Sequence, residues 1–298
     1  AGCVAHLDFR EQGVEGARRL RAASEASGVR SVILSQVDRI AFDAAALAEN
    51  TAPIPPAMRA ELAEILTVAD GISESTMNDW TEPAWRELRT LAAGRNKATA
   101  IHCLESSTYR SVSLDRCGIG DLRRAVTELQ PDVVVHLTVA EPEEIALLAA
   151  AGIPAVLNPR ANSVLGLPLP PVAALLRAGV PLLLGTDNGI LNGPDLFREL
   201  DFTCRLLRSQ SAGERPPHPV EVLKMVTRNL QFTRWGGEFP GEIDAGLPAN
   251  LLVVDLSRPA FRHSQDLTAS LVLRAGPADV AATLRAGKSL HIGGSHAT

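Results

Sequence analysis

His102 and Glu105 stand three positions apart in AIHCLES, at the end of an apolar run that begins at Ala98. A neutral imidazole binds divalent metal ions, and a carboxylate takes and returns protons. Two later apolar runs end in the same way, VVVH in His136 and LLLGTD in Asp187. An acid at the rim of a buried sheet needs a partner or a metal to offset its desolvation. The run AVLN between them ends in Asn158, and Asn188 follows Asp187. A lone histidine at a strand end is more often a hydrogen-bonded structural residue. The joint pattern, with reactive groups closing successive strands, points to one shared pocket. Imidazole plus carboxylate suits a borderline divalent ion such as Zn²⁺ or Fe²⁺.

The elements that carry these residues alternate. Apolar or β-branched runs at Gly2–Phe9, Ser31–Val37, Val68–Ile72, Ala98–Glu105, Val133–Thr138, Ala155–Asn158 and Pro181–Gly185 read as strands. Helical patterns lie between them, with Gly28 closing the first and Gly94 following Pro83–Ala93. A long loop is expected from Glu105 to Gly120. Near-continuous apolar strands alternating with helices imply a parallel sheet covered on both faces. No G-x-G-x-x-G follows the first strand, which disfavours a dinucleotide-binding sheet. Reactive residues at several strand ends favour a (β/α)8 TIM-type barrel. Seven strands are counted, one short of closure, so the expected fold is such a barrel lacking its first strand, over residues 1–236. After Gly237 the texture becomes β-rich, with strands expected near 251–255, 269–274 and 280–286. Residues 237–298 thus read as a smaller C-terminal segment, ending in a polar tail from Ser289.

Bulk properties exclude several classes. The chain has 298 residues, 46% hydrophobic and 21% charged, with a formal net charge of -5. That balance is globular, and it offers no basic field for nucleic acid or an anionic membrane. No apolar run approaches the ~20 residues of a membrane span, and no leader pattern is present. The four cysteines are scattered without CxxC spacing, as in a reduced, cytoplasmic protein. The expected partner is a small molecule.

Other candidates are weaker. Asn78 sits in the polar loop Ser73–Trp80 and is a candidate substrate contact, with Asp79 beside it. Trp80 and Trp85 read as packing residues. Asp8 and Arg10 fit either the pocket or an ion pair at the barrel mouth. His6, His218, His263, His291 and His296 have no partner at useful spacing and read as surface or structural. Cys103 points away from the His102 side by strand alternation, so no cysteine nucleophile is expected.

At these residues the sequence resembles the metal-dependent amidohydrolase superfamily, in particular the branch of cytosine, guanine and S-adenosylhomocysteine deaminases and triazine chlorohydrolases. The similarity rests on IHCLE, on VVHLT followed by EPEEIALLAAAGI, on LNPRAN with Asn158 and Asn162, and on AGVPLLLGTDN. GEIDAGLPANLLVVDL resembles that family's return into its small β-sandwich, and the likeness runs from about Gly2 to Ala286. The resemblance implies one catalytic metal and hydrolysis of a carbon–nitrogen bond, as in deamination of a heterocyclic amine. It implies His102 as a metal ligand and Glu105 as the proton shuttle. It implies His136 as the group that orients water or substrate, and Asp187 as metal contact and general base. Asn158, Asn188 and Asn78 would line the substrate pocket.

The family pattern also has a His-x-His on its first barrel strand, and no His-x-His occurs in this sequence. LDFREQGVEG resembles the second strand. The expectation is therefore a chain that begins after strand one, with weakened metal binding and a tendency to aggregate or pair with another copy. The competing reading is a non-catalytic barrel that binds a small ligand without turnover.

Overall fold

The computed structural model describes residues 2–39 and 41–292. Two compact units are present. One is Ala5–Ala155, and the other takes in the described residues before Ala5 and from Val156 onward.

The first unit is built on five strands: β1 (Ala5–Arg10), β2 (Arg30–Ser35), β3 (Gly71–Glu74), β4 (Ala98–Cys103) and β5 (Val133–His136). Each pairs in parallel with the next in chain order. Parallel neighbours require crossovers, and helices Gly13–Ser27, Pro56–Val68, Glu82–Ala93 and Ser107–Cys117 supply them. Val32, Ile33 and Leu34 of β2, Ile72 of β3, Ala100 and Ile101 of β4, and Val133, Val134 and Val135 of β5 are all buried. β2 to β5 are covered on both faces, which is why they read as apolar runs, whereas no residue of β1 is fully buried. Trp80 and Trp85 stack with ring centroids 4.8 Å apart, both fully buried, as the packing role predicted.

β6 (Ala155–Leu157) lies where the two units meet in sequence. In the second unit it is followed by β7 (Leu182–Leu184), and the Gly185 N–H donates to the Leu157 carbonyl at 3.0 Å. Helix Leu196–Gln210 follows. β8 (Leu251–Val254), β9 (Val280–Arg285) and β10 (Lys288–Ile292) then form a separate antiparallel sheet in the order β10-β9-β8. Seven strands alternate with helices before this small sheet, as the sequence pattern implied. Among the described residues no helix is long and apolar enough to cross a membrane, and all four cysteines are free thiols.

Three expectations change. The stretch after Glu105 is not a loop but a helix, Ser107–Cys117. Its Ser, Thr and Arg composition hides it, and tertiary bonds hold it. Residues 267–273 are helical and not a strand. The Asp266 side chain accepts from the Ala269 N–H and starts that helix. The tail from Ser289 is partly strand, since β10 reaches Ile292. Its remainder, with His296, lies outside the described residues.

Candidate active site

β4 ends at Cys103, and His102 presents its ring beside Phe9 of β1, edge to face with centroids 5.0 Å apart. β5 ends at His136, which the sheet register pairs with Cys103. Cross-strand partners share a face, so a regular strand would turn His136 away from His102. His136 instead adopts φ 79° and Leu137 φ 60°. This left-handed conformation is costly for residues other than glycine. It lifts His136 out of strand alternation, and its Nε2 lies 2.9 Å from His102 Nδ1. Burial lowers the His136 pKa to about 4, so its ring is neutral at pH 7.

The Glu105 turn is held at several points. Leu104 has φ 51°. Its N–H donates to Asp121 Oδ2 at 2.8 Å. The Thr138 hydroxyl lies 3.1 Å from the Leu104 carbonyl and 2.7 Å from the Glu105 carbonyl. Glu105 Oε1 then reaches 3.7 Å from His136 Nε2, while Oε2 accepts from the Tyr109 hydroxyl at 2.7 Å. His102, His136 and Glu105 therefore converge within the first unit. Two neutral-capable nitrogens beside a carboxylate are a donor set that fits a borderline divalent cation.

The remaining predicted residues divide. Asp187 follows β7 with φ 59°, an acidic side chain set on a left-handed backbone. Its Oδ1 accepts from the Asn188 N–H at 2.7 Å, and Asn188 Oδ1 accepts from the Ile190 N–H at 2.9 Å. Asn158 is buried, with its amide nitrogen facing the carbonyls of Leu157 and Gly185 at 3.2 and 3.1 Å. It ties the end of β6 to the end of β7. Asn78 donates to the Tyr109 carbonyl at 2.9 Å and accepts from Arg124 at 3.1 Å. Both ends of its amide are therefore engaged in bracing helix Ser107–Cys117. Asp8 holds Arg10 in a two-point ion pair, 2.8 and 3.1 Å. Sequence reasoning missed Tyr109, Thr138 and Asp121. Only Tyr109 carried a signal, its position four residues after Glu105.

The sequence pattern of the amidohydrolase family matches residues 1–290. The chain belongs to the amidohydrolase family. A relative from Methanothermobacter thermautotrophicus, named provisionally as an aminohydrolase, is 32% identical over 255 residues, covering 85% of this chain and 62% of that protein. A 5-methylthioadenosine/S-adenosylhomocysteine deaminase of Thermoanaerobacter pseudethanolicus is 26% identical over 209 residues, covering 68% of this chain and 48% of the deaminase. The amidohydrolase chain thus spans between about half and two thirds of these relatives' lengths. A zinc-bound adenosine deaminase from Xanthomonas campestris superposes with a TM-score of 0.74 at 22% identity, over 93% of this chain and 69% of that one. At that identity the likeness shows the fold, a partial TIM-type barrel with a small C-terminal sheet.

Proposed function

We propose that this amidohydrolase chain carries the acid–base half of a metal-dependent deaminase site, one that removes ammonia from a heterocyclic amine. The observation that carries the reading is the convergence at the ends of β4 and β5. There His102 Nδ1 and His136 Nε2 are 2.9 Å apart, and Glu105 Oε1 is 3.7 Å from His136. The deaminase names of the relatives support the reaction class. The zinc of the Xanthomonas enzyme supports the ion class, Zn²⁺ or Fe²⁺.

His102 would hold the ion, with the neutral His136 ring beside it. A divalent ion bound there supplies Lewis-acid activation of water at neutral pH. Glu105 takes one proton of the attacking water at Oε1 and delivers it to the ring nitrogen, then carries the second, given up as the C=O bond forms, to the leaving amine. The C–N bond breaks, ammonia leaves, and the oxygen of water remains on the carbon. Buried His136 orients the oxygen nucleophile through its nitrogen without adding a charge.

Isothermal titration of metal-stripped protein with Zn²⁺, followed by ammonia assays on aminopurines, aminopyrimidines and their nucleosides, tests the reading. One bound ion and ammonia from at least one of these compounds is the expected result. Metal and ligand binding without ammonia from any of them would instead favour a binding barrel without turnover.

A further inference from the structure

We propose that Tyr109 is a positioning residue that makes the two oxygens of Glu105 inequivalent, anchoring Oε2 so that Oε1 alone carries the proton. The inference rests on the reading of Glu105 as the proton shuttle.

A carboxylate on a flexible side chain presents either oxygen, in many rotamers. Here the backbone under Glu105 is fixed first, by Asp121 on the Leu104 N–H and by Thr138 on the Leu104 and Glu105 carbonyls. The side chain is fixed next. The Tyr109 O–H donates to Oε2 at 2.7 Å, the length of a charge-assisted bond. The other oxygen faces His136 Nε2.

Tyr109 is itself immobilised. It sits in the first turn of helix Ser107–Cys117, and its carbonyl accepts from the Asn78 amide at 2.9 Å. The Asn78 side-chain oxygen accepts from Arg124, which is fully buried. Arg124 also donates to Ser113 of the same helix at 3.2 Å and pairs with Glu82 at 3.0 Å. Arg116, one turn further on, donates to the Asn78 carbonyl at 2.6 Å. A buried arginine and an asparagine therefore hold the helix that aims the phenol. This places the polar cluster outside the pocket in service of one hydrogen bond inside it.

Tyr109 is the only tyrosine of the chain, so a tyrosine signal reports this contact alone. Ultraviolet Raman spectra of the unsubstituted protein and of Glu105→Gln are compared first. The Fermi doublet is expected to show a strong hydrogen-bond donor in the former and a weaker donor in the latter. Kinetics follow. Tyr109→Phe removes one oxygen and should lower kcat roughly 10- to 100-fold with KM essentially unchanged. Added to Glu105→Gln, it should lower the residual rate no further, because both changes act through the same carboxylate. A tyrosine that does not donate, in a protein that releases ammonia, overturns this proposal and leaves the deaminase reading intact. So does a Tyr109→Phe effect confined to KM, or one that multiplies the Glu105→Gln loss. A donating tyrosine in a protein that releases no ammonia overturns the deaminase reading instead, and with it any catalytic meaning of the contact.

Discussion

His102 Nδ1 and His136 Nε2 stand 2.9 Å apart although the sheet pairs His136 with Cys103 and not with His102. The left-handed backbone at His136, φ 79°, reconciles the two facts. Strain of this kind costs on the order of 1–3 kcal/mol and persists only where the surroundings enforce it. Leu104 and Asp187 show the same conformation, at φ 51° and 59°. Three of the strand ends that carry reactive groups are therefore built on backbone that ordinary strands avoid.

His136 should remain neutral across the physiological range. Its pKa is lowered to about 4 by burial, so no protonation step is expected between pH 5 and 8. Imidazole NMR shifts of the metal-free protein, assigned by His136→Asn, check this. A His136 resonance that titrates near pH 6.5, the ordinary histidine value, would contradict the buried placement.

Gly185 is required by its neighbours. A Cβ there would meet the Asn158 side-chain amide at 2.5 Å and Val156 Cγ1 at 3.1 Å. Gly185→Ala should destabilise the protein by about 1–3 kcal/mol, the usual cost of overpacking. Urea unfolding measures it. A neutral effect would mean that Asn158 moves freely and does not tie β6 to β7.

Glu199 should give stability a pH slope. It is fully buried in helix Leu196–Gln210 and bonded to Arg160 at 3.0 Å. Burial raises its pKa to about 7, the Arg160 charge and hydrogen bond only partly opposing it. The folded state therefore holds this proton more tightly than the unfolded state does. Its contribution to stability is full below about pH 4.3, the ordinary glutamate value, and is lost as pH rises toward 7. Across that window the loss is on the order of 3 kcal/mol. Glu199→Gln should flatten the slope of unfolding free energy between pH 5 and 7. An unchanged slope would show that Glu199 is ionised throughout.

The strand ends were legible because buried parallel strands leave long apolar runs, and His102, His136, Asn158 and Asp187 interrupt them. The helix Ser107–Cys117 was not, since its stability comes from contacts with Arg124 and Asn78, 11 and 31 positions from their partners in the chain. The segment 267–273 misled for the opposite reason. Its Leu and Val residues suit a strand, while one cap, Asp266, decides for helix. The role of Asn78 shifted most. Its loop position suggested a pocket residue, but its amide bonds turn toward Tyr109 and Arg124. Strand alternation alone would have separated His136 from His102. No local sequence signal announces a left-handed histidine.

The proposed deamination depends on Glu105 moving the proton. Ammonia release by zinc-loaded protein and by Glu105→Gln, measured across the panel of heterocyclic amines, tests it most directly. Release is expected from the former, and a loss of about 10²–10⁴-fold in kcat from the latter, at unchanged KM. Equal rates in the two proteins, or no ammonia from any amine with zinc bound, would contradict it.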